Sequence, residues 1–123
     1  MIRKTGLAHL QPTERKALDE FVQLIQEQFN GLVQLILLFG SKARGDDTLD
    51  SDVDILVVVD SDDWRVHKQV RYLAADMSLK YNLDLSPRVW SISHLHKMEE
   101  IDASLYRNIQ QDALNLLEQT MLA

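Results

Sequence analysis

The sequence predicts an α/β (α+β) domain built on a small mixed β-sheet of at least three strands flanked by helices. Short apolar runs of strand length alternate along the chain with longer segments whose apolar residues recur every three or four positions. Of the 123 residues, 46% are hydrophobic, which is enough to bury one core and leaves little length for a second lobe. We therefore expect a single domain over residues 1–123.

The first third of the chain predicts a helix followed by a buried strand. From Thr13 to Asn30 the apolar residues recur at helical spacing, with Pro12 before the segment and Gly31 after it. Leu32 to Phe39 is a short, nearly continuous apolar run (LVQLILLF), which is typical of a strand covered on both faces. The apolar stripe of the predicted helix consists of Leu18, Phe21, Val22, Ile25 and Phe29.

The middle of the chain predicts a loop, a second strand and a second long helix. Asp52 to Val59 (DVDILVVV) is short and β-branched, so we expect another buried strand. The connection between the two strands is longer than a tight hairpin needs, which indicates a functional loop with room for one helical turn. The acidic run Asp60 to Asp63 ends the strand and offers an N-cap to a helix from Trp64 to Lys80.

The last third predicts an edge strand and a terminal helix. Leu83 to Ile92 alternates, which places Asp84 on the face opposite to Leu85. Pro87 within this run favours an edge strand or a bulge. From Asp102 to Leu122 the apolar residues again recur at helical spacing. We expect this terminal helix to pack on the sheet or on a partner.

Composition narrows the classes of function. The 13 Lys and Arg residues against 19 Asp and Glu give a net charge of −6, which would repel a phosphate backbone, so we expect no direct binding to nucleic acid. No apolar run reaches the roughly 18 residues of a membrane span, and no signal-peptide pattern opens the chain. We therefore expect a cytoplasmic protein without membrane association. The absence of cysteine excludes disulfides and thiolate zinc sites.

One short segment concentrates negative charge in a way that a bound cation would relieve. Eight of the 19 acidic residues fall in this segment: Asp46, Asp47, Asp50, Asp52, Asp54, Asp60, Asp62 and Asp63. We expect the functional site there.

Residues on both sides of the loop are suited to phosphate chemistry. Asp52 and Asp54 project from the same face of the second strand and can hold hard divalent cations such as Mg2+ through oxygen ligands. Gly40 and Ser41 directly follow the first strand. A glycine beside a small hydroxyl residue lets backbone N–H groups approach the oxygens of a nucleoside triphosphate. Both pieces can meet at one end of the sheet, so we expect a metal and phosphate site there.

Four further residues complete the predicted site. Lys42 and Arg44 are near enough in sequence to offset phosphate charge. Asp84 is the natural third carboxylate, because it lies in the third strand opposite to its apolar face. With Asp84, two cations could be held, one placing the triphosphate and one lowering the pKa of an attacking hydroxyl for in-line displacement at the α-phosphorus. Arg88 is a further candidate for contact with the nucleotide or the acceptor.

Two other motifs resemble parts of this segment. GSKARGDD has the glycine interval of a P-loop, but Asp46 and Asp47 stand where Lys and Ser or Thr are required. DSDVD mimics the start of an EF-hand loop, but Ile55 stands where glycine is needed and Ser61 where the bidentate Glu belongs. We therefore reject both motifs.

The site residues also have a purely structural interpretation. The acidic cluster could be a solvated loop that caps a strand, with Asp84 as a surface acid and with Lys42 and Arg44 as surface charges. The combination of Asp-x-Asp with Gly-Ser after a buried strand favours the functional interpretation. We interpret Trp64 and Trp90 as packing residues.

The stretch GSKARGDDTLDSDVDILVVV resembles the nucleotidyltransferase signature of the DNA polymerase beta-like superfamily, in which a glycine–serine pair and a loop precede Asp-x-Asp on a strand. Its ARG and SDVD segments look most like the minimal nucleotidyltransferase (MNT) antitoxins, which pair with HEPN-domain toxins. The resemblance covers roughly residues 32–92 and implies a nucleotidyltransferase fold.

The resemblance also implies a reaction. It implies Mg2+, a nucleoside triphosphate that is usually ATP, and transfer of AMP to a tyrosine of the cognate HEPN ribonuclease, which silences that toxin within a hetero-oligomer. By motif position the phosphate-binding pair falls on Gly40 and Ser41, and the metal-binding acids fall on Asp52 and Asp54. Asp84 matches the third acid without a fixed spacing to anchor it.

Two other functions remain open. An antitoxin of this kind could neutralise its toxin by binding alone, with a dispensable active site. The same motif would also support transfer to a small molecule such as an aminoglycoside, although 123 residues leave little room for a dedicated acceptor-binding domain.

Overall fold

The computed structural model describes residues 10–46 and 51–117, and its elements follow the predicted alternation of helices and strands. In chain order they are α1 (Pro12–Gln28), β1 (Val33–Phe39), α2 (Ser41–Arg44), β2 (Val53–Val59), α3 (Trp64–Tyr81), β3 (Leu85–Ser91), α4 (Ile92–Glu100), α5 (Ser104–Asp112) and β4 (Leu114–Asn115). The short helix α2 is the helical turn expected between the first two strands. None of the helices in the described ranges is long and apolar enough to cross a membrane.

The four strands form one mixed sheet in the order β3-β2-β1-β4. β1 pairs antiparallel with β2 and with β4, whereas β2 and β3 pair in parallel. β3 lies at an edge, and there Pro87 interrupts no ladder hydrogen bond to a further strand. The mixed α/β class and the edge position of the third strand are thus as predicted.

The two faces of the sheet support separate apolar layers. Alternate residues of β1 and β2 pack under α1 and α3 in the larger layer, which contains Phe21, Ile25, Ile36, Leu38, Val53, Ile55, Val57, Val70 and Ala74. The intervening residues face α4 and α5 in a smaller layer around Leu56, Val58, Trp90 and Ile109. Because side chains alternate along a strand, Asp52 and Asp54 share the face of Leu56 and Val58. The acidic residues therefore lie at the end of the smaller layer.

The two long helices begin beside the start signals that the sequence indicates. At the start of α1, Pro12 follows Gln11, whose backbone N–H donates to Glu14 Oε1 at 2.8 Å in a capping box. Asp63 caps α3 by accepting from the backbone N–H of Arg65 at 2.9 Å. These caps hold both helices in place over the larger apolar layer.

The prediction of a single terminal helix is wrong. Helix α5 ends at Asp112, Ala113 is extended, and Leu114 and Asn115 pair with Leu38 and Leu37 of β1. This short strand covers the otherwise open edge of β1. Through this strand the chain passes from one face of the sheet to the other. Ile109, before the strand, is buried in the smaller layer, and Leu114, within it, is buried in the larger layer. The predicted part from residue 118 to Leu122 lies outside the described residues.

The two tryptophans differ from each other. Trp90 is buried as predicted, with its ring centroid 5.0 Å from that of His94 and 6.5 Å from that of Tyr106. The packing role predicted for Trp64 is wrong, because this side chain is 65% exposed at the start of α3. Trp64 is the first residue of α3 and lies outside the buried face of this helix, which is formed by Val70, Ala74 and Met77.

Candidate functional site

The ends of three strands bring the predicted carboxylates to one end of the sheet. β1 ends where β2 begins, with Phe39 opposite Asp54 in the antiparallel register. β3 begins beside β2, where the backbone N–H of Val53 donates to the carbonyl oxygen of Asp84 at 2.8 Å. Asp52 and Asp84 therefore precede the first paired residues of two neighbouring strands.

Gly40 makes the closest approach to this cluster. Its backbone has φ 77° and ψ −156°, a conformation that is essentially restricted to glycine. A Cβ atom at this position would collide with Oδ2 of Asp54. Gly40 is also the N-cap residue of helix α2 and makes no side-chain capping hydrogen bond. The Gly-Ser pair thus places bare backbone beside a strand carboxylate.

Charge accumulates on the three aspartates. Burial, followed by the charge of Asp52, raises the pKa of Asp54 above its ordinary value. The charge of Asp52, burial and a hydrogen bond with Asp52 raise the pKa of Asp84. Asp54 and Asp84 therefore resist ionisation in the presence of the charge of Asp52. A bound cation would relieve this repulsion.

The donor set fits a hard divalent cation, although the carboxylates do not already converge on one point. Oxygen ligands from carboxylates are those that Mg2+ prefers, and Asp52, Asp54 and Asp84 supply them from adjacent strand ends. Within residues 10–46 and 51–117, no group of three or more His, Cys, Asp and Glu side chains is placed so that it could hold a metal ion by itself. Mg2+ commonly binds through one or two carboxylates together with substrate phosphates and water, and Asp52 and Asp54 could supply those carboxylates.

Two arginines contribute positive charge near Asp54. The charges of Arg88 and Arg44 both act to lower the pKa of Asp54, against the larger effects of burial and Asp52. Arg44 is held by two ion pairs at 3.1 Å, one with Asp46 and one with Asp112. Its guanidinium is thereby fixed between α2 and the end of α5.

Lys42 takes a different position from the one expected of a phosphate ligand. Its side chain is fully buried, and its ammonium forms an ion pair with Glu14 of α1. The cause is the phase of the short helix α2, which turns Lys42 and Ala43 inward and leaves Arg44 exposed. Lys42 thus links α2 to α1 inside the fold, and we do not assign it a contact with phosphate.

Sequence reasoning missed two residues that shape the site. Asp112 reaches Arg44 from 68 positions away, and Glu14 reaches Lys42 from the first turn of α1. The position of Glu14 three residues after Gln11 is a local sequence signal for its capping role in α1, but not for its ion pair with Lys42. Nothing in the sequence pattern indicates the pairing of Asp112 with Arg44, because it depends on where α5 ends.

A family model and two related proteins both place this chain among nucleotidyltransferases. The model of the nucleotidyltransferase domain family matches residues 16–115. A protein of Methanocaldococcus jannaschii that is provisionally named a protein adenylyltransferase is 37% identical over 99 residues, which cover 80% of this chain and 93% of that protein. A second provisionally named protein adenylyltransferase of this organism is 37% identical over 73 residues, which cover 57% of this chain and 50% of that protein.

Solved structures agree at the level of the fold. A crystal structure of a toxin–antitoxin with AMP-PNP has a TM-score of 0.52 at 21% identity, covering 85% of this chain and 78% of that chain. A mutant of the toxin–antitoxin MntA-HpeT has a TM-score of 0.51 at 20% identity, covering 80% of this chain and 71% of that chain. The family match spans the strand ends that carry Gly40, Asp52, Asp54 and Asp84, and the chain belongs to the nucleotidyltransferase domain family.

Proposed function

We propose that this chain is a Mg2+-dependent adenylyltransferase that transfers AMP from ATP to a tyrosine hydroxyl of a cognate HEPN ribonuclease toxin and thereby neutralises it. The observation that carries the proposal is the meeting of Gly40, Asp52, Asp54 and Asp84 at one end of the sheet. A carboxylate cluster beside the side-chain-free backbone of Gly40 is suited to a triphosphate and its cations.

The reaction is an in-line displacement at the α-phosphorus of ATP. The tyrosine oxygen forms a new bond to that phosphorus while the bond to the bridging oxygen of the β-phosphate breaks, and pyrophosphate leaves with the electron pair. Mg2+ bound at this site would neutralise charge on the triphosphate and stabilise the developing charge. The phenolic proton must pass to a base near the acceptor.

The residues divide this work by position. Asp52 and Asp54 bind the cations from the start of β2, and Gly40 and Ser41 contact the triphosphate from the end of β1. Asp84 receives the phenolic proton, because its carboxylate lies beside Asp52 at the start of the open edge strand. Arg88 and Arg44 balance negative charge near Asp54.

The partner and the nucleotide are inferred from three lines of support. Two relatives carry the provisional name of protein adenylyltransferase, which favours a protein acceptor. The structural neighbours are toxin–antitoxin proteins, one of them with AMP-PNP, which favours a toxin partner and an adenine nucleotide. The HEPN identity and the tyrosine follow from the resemblance of the GSKARGDD and SDVD segments to MNT antitoxins.

Labelled nucleotides test the reaction. The chain is incubated with its proposed HEPN-domain partner, Mg2+, and ATP labelled on either the α-phosphate or the γ-phosphate. We expect label on the HEPN-domain protein only from α-labelled ATP, and no label when EDTA removes the cation. Label from the γ-phosphate would instead establish phosphoryl transfer and overturn the proposal.

The same experiment separates the other two functions. A stable complex that silences the ribonuclease without any label would establish neutralisation by binding. Label on an added aminoglycoside, with none on the protein, would establish transfer to a small molecule.

A further inference from the structure

The exposed face of α3 carries an unusual set of side chains. Of the large hydrophobic residues exposed within the described ranges, three lie on this helix: Trp64 at 65%, Tyr72 at 58% and Leu79 at 84%. They fall on one face together with exposed Lys68, Arg71 and Ala75. With 3.6 residues per turn, all six lie within an arc of about 100°. We call Trp64, Lys68, Arg71, Tyr72, Ala75 and Leu79 the α3 stripe.

The α3 stripe is held in a defined conformation. The ammonium of Lys68 lies between two rings, 5.5 Å from the centroid of Trp64 and 5.3 Å from that of Tyr72. Such cation–π contacts order long side chains before any partner arrives. The helix beneath is fixed by its N-cap Asp63 and by its buried face. An ordered surface loses little conformational freedom when it binds.

The α3 stripe leads directly to the proposed catalytic base. Its last residues line a groove of about 490 Å³ that continues onto β3, with Asp84, Leu85 and Pro87 on the opposite wall. Asp84 belongs both to this groove and to the aspartate cluster. A segment lying in the groove would therefore reach the site from the exposed edge of the sheet.

Charge indicates what kind of surface would bind here. Two basic residues of α3, Arg65 and Lys80, are paired with Asp63 and Glu20. Lys68 and Arg71 of the α3 stripe remain, against the single acidic residue of the helix, Asp76, whereas the whole chain has a net charge of −6. An acidic partner is thus attracted to the stripe more than to the rest of the chain. A second copy that paired through this same face would bring like charges together.

The aliphatic residues at the groove favour a protein over a nucleic acid. The stripe has two flat rings, those of Trp64 and Tyr72, and Lys68 already contacts both. Ala75 and Leu79 of the stripe, with Pro87 on the facing wall of the groove, have no flat face on which a base could stack. Exposed Trp, Tyr and Arg side chains around an apolar centre are the composition of protein interfaces.

We propose that the α3 stripe is the docking surface for the protein acceptor, and that it binds an acidic and apolar patch so that the acceptor's hydroxyl-bearing segment lies in the groove at Asp84. This inference rests on the proposed function for the identity of the reaction. The assignment of the surface can be tested without catalysis.

Binding is measured by calorimetry between this chain and the cognate HEPN-domain protein of the proposed function, without Mg2+ or ATP. One variant removes apolar contacts (Trp64→Ala/Leu79→Ala), and another reverses charge (Lys68→Glu/Arg71→Glu). The matched control Lys16→Glu/Lys97→Glu makes the same charge change on α1 and α4. All six positions are on the surface, and melting curves verify that each variant folds.

We expect Kd to rise about 30-fold or more in both stripe variants, the usual effect of losing residues that dominate an interface, and to change less than about threefold in the control. AMP transfer in the stripe variants should show a raised KM for the acceptor with kcat retained. Affinity for a fluorescent ATP analogue should match that of the wild type.

Three results would overturn the docking proposal: unchanged affinity in both stripe variants, binding of labelled single-stranded RNA that the same variants abolish, or a dimer that they dissociate. Failure of the proposed function gives a different pattern. If the wild type transfers no AMP but the stripe variants still lose affinity, the surface stands and the reaction does not. If AMP is transferred with unchanged KM in the stripe variants, the reaction stands and the surface does not.

Discussion

The α-carbon of Gly40 lies directly against the carboxylate of Asp54. A Cβ atom added at Gly40 would collide with Oδ2 and would lie 3.3 Å from Cγ of Asp54. The end of β1 and the start of β2 therefore fit together only if no side chain separates them. This contact joins the two halves of the signature in three dimensions.

Gly40→Ala should damage both stability and transfer. The backbone conformation of Gly40 costs an alanine about 1–3 kcal/mol, and the new methyl group must displace the Asp54 carboxylate. Gly31→Ala is the matched control, because Gly31 also has a positive φ of 84° but has no atom within 4 Å of the added Cβ. We expect the control to lose about 1 kcal/mol of unfolding free energy and to keep full activity. Urea denaturation measures the stability of each variant, and initial rates measure AMP transfer. Equal transfer rates for Gly40→Ala and Gly31→Ala would contradict the proposed role of this contact.

Asp54→Asn should stabilise the protein in the absence of Mg2+ while abolishing transfer. Burial and the charge of Asp52 raise the pKa of Asp54 above 3.8, so the ionised carboxylate costs stability above its folded pKa. Below pH 3.8 the group is protonated in both states, and this cost disappears. The melting temperature of Asp54→Asn should therefore exceed that of the wild type at pH 7. This gain should shrink as the pH falls through the folded pKa of Asp54 toward 3.8. Asp76→Asn on the exposed face of α3 is the control, and an equal gain there would refute the assignment to Asp54.

Lys42→Met should destabilise the fold more than the double change Lys42→Met/Glu14→Gln. The single variant leaves the Glu14 carboxylate without its partner in a site where Lys42 is fully buried, a change that costs about 3–5 kcal/mol. The double variant removes the charge and keeps the side-chain oxygen that accepts from Gln11. Chemical denaturation measures both. If either folded variant lost nucleotide affinity well below its melting temperature, Lys42 would contact phosphate after all.

Arg88→Ala should weaken nucleotide binding with little effect on stability. Arg88 is exposed, so its removal leaves the core intact, whereas its charge acts on Asp54. Losing one charge-assisted contact to phosphate corresponds to a rise of about tenfold or more in the KM for ATP. Arg107→Ala on α5 removes the same charge elsewhere and should leave KM unchanged. Equal KM values for the two variants would exclude Arg88 from the site.

Much of the fold follows from local pattern. The strand runs from Leu32 to Phe39 and from Asp52 to Val59 were predicted within a residue or two, because a strand covered on both faces is apolar at nearly every position. Alternation alone places Asp52 and Asp54 on one face. Pro87 correctly indicated an edge strand.

What the sequence pattern could not supply depends on long-range packing. In the predicted terminal helix, the apolar residues from Leu105 through Ile109 to Leu116 have helical spacing. In the structure, however, Ile109 and Leu116 are buried on opposite sides of the sheet. The chain must leave the helix to make that crossing. The inward turn of Lys42 likewise depends on Glu14 of a distant helix.

Of the predicted acidic cluster, Asp47 and Asp50 lie outside the described residues.

The intact mass of the proposed HEPN-domain partner tests the central claim most directly. It is recorded after incubation with this chain, Mg2+ and ATP, beside a reaction that contains Asp52→Ala/Asp54→Ala. The account predicts a gain of one or more AMP residues on a tyrosine with the wild type and none with the variant, which should still fold. An unchanged mass in a stable, silenced complex, or an equal gain with the variant, would contradict it.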